Sequence, residues 1–143
     1  MKIKLEFNTA KLTAEFKGLK SDLDKEIEQA IQIATRNTSA NAKSFAPVNK
    51  IIGHGPGIKS SIHPIVKGKT GEVVVNVKYA PYQDFGTGDR VIVPTELKDY
   101  AMQFKGKGIR KVNTRPQPYL YPAFFINRDR LTKDLEKRMK KVL

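Results

Sequence analysis

The sequence predicts an α+β domain. In it an antiparallel sheet of about four strands packs against a long helix in the N-terminal half and a C-terminal helix. Three observations predict this. Apolar residues recur at spacings of three and four over residues 22–44, and again over 122–142, the period of a helix with one buried face. Short runs of alternating or β-branched residues occur at 2–7, 58–66 and 72–78. A glycine-containing break at 67–71 separates two of those runs, as in a hairpin. At 143 residues the chain fits one domain with a sizeable core.

The elements follow in order. Ile3, Leu5 and Phe7 alternate with Lys2, Lys4 and Glu6, the pattern of a half-buried strand. Asn8 and Thr9 turn the chain. Leu12, Phe16 and Leu19 fall at helical spacing, with Gly18 as a weak point. Ser21-Asp22-Leu23-Asp24 reads as a capping box, and Asp22, Asp24, Glu26 and Glu28 carry the sign a helix N-terminus prefers. Leu23, Ile27, Ile31, Ala34, Thr38 and Ala42 form the buried stripe of the main helix, residues 22–44. It stops ahead of Pro47, which restricts Ala46. Residues 48–57 are a glycine-rich loop, expected to be mobile or to reach another subunit. A hairpin pairs 58–66 with 72–78.

The stretch 79–88 follows the clearest strand. Tyr79, Tyr82 and Phe85 are spaced by three, which places them on one side of a single helical turn. Gly86 and Gly88 end that turn. We read the segment as a structural pivot in which the three aromatics pin the hairpin to the helices. Val91-Ile92-Val93 makes a fourth strand stopped by Pro94. Thr95 caps a short helix over 96–104, with Leu97, Tyr100, Ala101 and Phe104 on one face. Prolines stiffen residues 115–123, and Pro122 suits the first position of the last helix. That helix repeats Phe124, Leu131, Leu135, Met139 and Val142 and crowds Lys137, Arg138, Lys140 and Lys141 at its end.

Charge narrows the partners more than the chemistry. Lys and Arg number 27 against 14 Asp and Glu, a net charge of +13. That balance points to nucleic acid, an anionic surface or an acidic protein. Lys105, Lys107, Arg110, Lys111 and Arg115 cluster in a stretch with no acid between Asp99 and Asp129. They are candidates for contact with DNA or an acidic neighbouring subunit. With no cysteine, a thiol nucleophile and a thiolate metal site are excluded. His54 and His63 lie nine apart without a supporting acid cluster. The glycines at 53, 55 and 57 are not followed directly by the Lys-Ser/Thr ending of a phosphate-binding loop, and no GxSxG elbow occurs. Asp84 and Asp89 are the nearest approach to a pair of metal-binding carboxylates. An ion pair of Asp84 with Arg90 or Arg115 explains that residue more simply. No catalytic, cofactor-binding or metal-ligating residue is therefore expected. No apolar run approaches the ~20 residues of a membrane span, and a soluble protein retained in its cell is expected. Two classes remain open: a nucleic-acid binder, or a structural subunit with charged interfaces.

The order of motifs adds a resemblance. A long helix ends in Ala46-Pro47. Gly57-Ile58-Lys59-Ser60-Ser61-Ile62 opens a hairpin. Tyr79-Ala80-Pro81-Tyr82-Gln83-Asp84-Phe85-Gly86-Thr87 follows, then Arg115-Pro116, and Tyr119-Leu120-Tyr121-Pro122-Ala123-Phe124 leads into a last helix. From about residue 22 onward this resembles the head–tail joining, or tail-completion, proteins of long-tailed phages and prophages, the HK-type minor tail family. Asp84 stands where that family usually has Glu, Ile58 and Lys59 replace Leu and Arg, and Tyr119 replaces Phe. The segment 95–111 is longer than in a minimal member. The resemblance implies a non-enzymatic virion protein of the neck, made in the bacterial host cytoplasm. Copies would form a hexameric or dodecameric ring between connector and tail tube, with phage DNA passing through its lumen. Tyr79, Tyr82, Asp84, Phe85, Gly86 and Thr87 would be its structural pivot. The alternative is a stand-alone basic nucleic-acid-binding protein whose patch is 105–115 with the C-terminal helix.

Overall fold

The computed structural model describes residues 1–6, 20–48, 57–86, 94–103 and 115–143. The N-terminal alternation becomes strand β1 (Lys2–Glu6). Downstream, strands β2 (Ile62–Lys67) and β3 (Thr70–Val75) form the hairpin. The sheet is antiparallel in the order β1-β3-β2, so β3 is central. Ile3 pairs with Val73, and Ile62 with Val75. Val73 and Val75 point to the core and are buried.

The hairpin is tighter than the sequence suggests. Lys67 pairs directly with Thr70, which leaves Gly68 and Lys69 as the turn. Gly68 sits at φ 54°, in the left-handed region where a residue with a Cβ is strained. Strand β3 accordingly begins at Thr70 rather than 72, and it ends at Val75 rather than 78. The expected strand start at 58 is instead a helical turn, α2 (Ile58–Ser61). Two serine hydroxyls hold it: Ser60 Oγ donates to the Gly57 carbonyl and Ser61 Oγ to that of Ile58, both at 2.8 Å. Such local bonds compete with a strand ladder. Among the described residues the sheet has three strands, not about four. The strand expected at 91–93 lies outside the described residues, as do the helical repeat at 12–19 and the loop 49–56.

The long helix α1 (Lys20–Phe45) buries every residue of its expected stripe, and Ala30, Thr35 and Ser39 as well. The capping box is not formed. Ser21 and Asp24 both lie inside the helix, and Asp24 instead pairs with Lys69 of the hairpin turn at 2.6 Å. One face of α1 covers the sheet. At Gly71 the approach is tight: a Cβ built there would stand 1.8 Å from Thr35 Oγ1. The other face packs against helix α5 (Leu120–Val142), with Leu131 and Leu135 set among Leu23, Ile27, Ala30 and Ile31. Nearer the sheet, a second apolar group joins Ala42, Ile62, Val73, Tyr119, Leu120 and Ala123. Arg138 ties the two helices at their far end. It contacts Glu26 at 2.7 Å and Asp134 at 2.9 Å. Among the described residues no helix is long and apolar enough to cross a membrane.

Between β3 and α5 the described residues form three short elements. Helix α3 (Ala80–Phe85) is the middle of the 79–88 stretch. A 3-10 turn (Thr95–Leu97) leads into helix α4 (Lys98–Met102). Thr95 starts that turn rather than capping it, and the preceding Pro94 makes no side-chain cap.

Candidate functional site

The best-built polar arrangement joins α3 to the start of α5. Helix α5 begins after Tyr119, whose side chain cannot cap it. The first amides of a helix have no partner within it and need an acceptor. Asp84 supplies that acceptor from 35 residues away. Its Oδ1 accepts from the Tyr119 amide at 2.7 Å and from the Leu120 amide at 3.0 Å, and its Oδ2 accepts from the Tyr121 amide at 3.4 Å. The next residue is Pro122, the third of the helix, which has no N–H to satisfy. One carboxylate and one proline thus account for every unpaired donor of the first turn.

Asp84 is fully buried, at 0 % exposure. Burial raises its pKa to about 6, although the three backbone amides pull in the opposite direction. The expected ion pair is not seen among the described residues. Arg115 is exposed, and no base among the described residues lies in ion-pair range of Asp84. Arg90 lies outside them. A buried carboxylate facing a helix N-terminus uses amide dipoles where an exposed one would use a cation.

The surroundings keep water out. Phe85 stacks on Tyr121 with centroids 5.8 Å apart, and meets the edge of Tyr100 at 5.9 Å. Tyr119 is fully buried, and its hydroxyl donates to the Ala80 carbonyl at 3.4 Å. Burial and the Asp84 charge together push the phenols of Tyr100, Tyr119 and Tyr121 above their ordinary value. A second seam runs alongside. The Gln117 amide donates to the Gln83 carbonyl at 2.8 Å, and Gln83 Nε2 donates to Gln117 Oε1 at 2.6 Å.

The aromatics divide differently from the expected pivot. Phe85 is core, but Tyr79 and Tyr82 are 38 % and 41 % exposed. The helix starts at Ala80 and buries Ala80, Pro81, Asp84 and Phe85, so its inner face is not the one defined by steps of three from Tyr79. Gly86 ends the helix at φ 78°, its amide bonded to the Tyr82 carbonyl at 3.0 Å. Thr87, Asp89, Lys105, Lys107, Arg110 and Lys111 lie outside the described residues. The sequence places Tyr119 and Gln117 in the 115–124 segment without disclosing their contacts with Asp84 and Gln83. The available signal was a helix start with no Ser, Thr, Asp or Asn before it, which calls for a remote acceptor.

Asn127 is the other buried polar group of α5. Its Nδ2 donates to the Ala123 carbonyl at 2.8 Å, while its Oδ1 is buried with no hydrogen-bond partner among the described residues. It lines a cleft of about 270 Å³ between α1 and α5, beside Ile33, Asn37, Arg130 and Asp134. Among the described residues no group of three or more His, Cys, Asp or Glu gathers to hold a metal ion.

Comparison with protein-family models, curated proteins and solved structures found no match. The geometry around Asp84 is that of a structural clasp: both its carboxylate oxygens are engaged by backbone amides.

Proposed function

We propose that the chain is a structural virion subunit of the neck of a long-tailed phage or prophage. It would be a tail-completion protein that assembles with copies of itself into a ring between connector and tail tube. The observation that carries the reading is the Asp84 clasp. The two segments on which the resemblance rests, 79–87 and 115–124, lie far apart in sequence, and the buried Asp84 of the first accepts hydrogen bonds from three backbone amides of the second. A motif pair that builds the joint between sheet and last helix explains why both parts occur in this order. The acid at position 84 is then required as a helix cap, a role that Glu could fill from the same turn.

The test is the mass of the purified protein in solution at low and high salt, alone and mixed with tail-tube or connector protein. The reading expects a closed ring, alone or on mixing. A monomer under every condition would overturn it. Such a monomer, with tight and steeply salt-dependent DNA binding, would favour a stand-alone nucleic-acid-binding protein. The basic outer face of α5 is the observation on that side.

A further inference from the structure

Helix α5 sorts its charges by direction. At 3.6 residues per turn, Arg130, Lys133, Lys137, Lys140 and Lys141 fall within one band of about 100° of its circumference. Asp129 and Glu136 fall to one side of that band and Asp134 to the other. All five cations are exposed, and among the described residues none has an acidic partner in ion-pair range. The acids and cations that do pair lie off the band: Arg128 with Glu96 and Asp129, and Arg138 with Glu26 and Asp134. The neighbouring helix α1 brings its four acids, Asp22, Asp24, Glu26 and Glu28, towards this end of α5; Glu26 pairs with Arg138 and Asp24 with Lys69, and among the described residues none of the four is in ion-pair range of a band cation.

Two ordinary explanations fall short. The helix dipole attracts cations only at the last turn, so it accounts for Lys140 and Lys141 but not for Arg130 or Lys133. Solubility asks for charge of either sign, interspersed, and not for a band cleared of acids.

We propose that this outer face of α5 is a binding surface for the phosphate backbone of duplex DNA. From Arg130 to Lys141 the band runs about 16 Å at 1.5 Å per residue. One strand of duplex presents about five phosphates over that length of axis, at 3.4 Å each. Four of the five cations are lysines, point charges on flexible stems that suit phosphates rather than base edges. The band carries no aromatic residue, so it lacks the stacking platform that single strands require. Binding is therefore independent of sequence. The assignment deepens the ring reading by naming the surface that DNA would meet in the lumen, and in that form it rests on that reading.

The experiment compares two variants of equal charge change by fluorescence anisotropy with a labelled duplex from 50 to 300 mM salt. One is Lys133→Glu with Lys137→Glu; the other is Lys59→Glu with Lys98→Glu, both exposed positions on other elements. A neutral pair, Lys133→Gln with Lys137→Gln, guards against a folding defect, which circular dichroism and Tm would report. The stripe variants are expected to bind about tenfold or more weakly than wild type. For the neutral pair the slope of log affinity against log salt is expected to fall by about 2, one unit for each lost phosphate contact. The control pair is expected to change affinity less than about threefold. Equal losses in stripe and control variants would overturn the proposal, as would absence of duplex binding by wild type. Polyglutamate binding the stripe more tightly than the duplex at equal concentration of charge would overturn it in favour of an acidic protein partner. The mass of each variant in solution separates the two ideas: rings without DNA binding keep the ring reading and reject the DNA surface if wild-type rings do not bind either. DNA binding through the stripe by a chain that never forms rings does the reverse.

Discussion

A carboxylate shut away from water faces two opposing pulls, and at Asp84 both are visible. Burial favours the protonated form, three amides favour the ionised form, and burial wins, with the pKa at about 6 against 3.8 when unperturbed. The folded state therefore holds a proton that the unfolded chain releases between about pH 4 and 6. The associated stability is fully present below pH 3.8 and is lost as pH rises through 6. Asn at this position cannot titrate, and its oxygen can still accept from Tyr119 and Leu120. On going from pH 7 to pH 4, the stability of wild type should gain on that of Asp84→Asn by about 2 kcal/mol. Chemical denaturation at the two pH values measures this, and parallel curves would refute it. Asp84→Ala removes every acceptor and should cost about 3–5 kcal/mol at pH 7. Asn127 predicts the opposite sign. Its Oδ1 is buried without a partner among the described residues, so Asn127→Leu should raise stability by about 1 kcal/mol; an unchanged or lower denaturant midpoint would count against it.

Among the elements, β3 and α1 meet closely at Gly71. Thr35 Oγ1 is held by the Ile31 carbonyl at 2.7 Å, so it cannot swing aside freely when a Cβ appears at Gly71. Gly71→Ala should destabilise the domain by about 1–3 kcal/mol, and Thr35→Ala in the same chain should recover part of that loss. A double-mutant cycle on denaturant midpoints tests the coupling, and simple additivity would refute it. This contact also shows what a sequence can disclose. The stripe of α1 was legible because helical period is local: Leu23, Ile27 and Ile31 announce their shared face without reference to anything else. The start of β3 was not. Thr70 and Gly71 look like turn residues, and only the proximity of Thr35 explains why a strand position carries glycine. The Asp84 clasp was hidden for the same reason, since its partners lie 35 to 37 residues downstream. Sequence did place Asp84 and Tyr119 in the two segments that matter, but assigned the acid to a cation instead of a helix end.

For the whole molecule, a net charge of +13 sets the terms of self-association. Identical chains of that charge repel, and the repulsion weakens with salt or with a polyanion between them. Ring formation should therefore be favoured by raised salt or by added duplex, a trend that the solution-mass measurement reads directly. The sheet and the helix pair are both closed by distant partners. The Met1 amino group donates to the Val75 carbonyl, 74 residues away, and Arg138 reaches Glu26 across 112. During synthesis α1 leaves the ribosome long before α5 exists to cover Leu23, Ile27 and Ala30. For that interval the growing chain carries a bare apolar helix face, the kind of surface that chaperones bind and that neighbouring nascent chains aggregate through. The last helix is thus also the step that releases the newborn protein from that hazard.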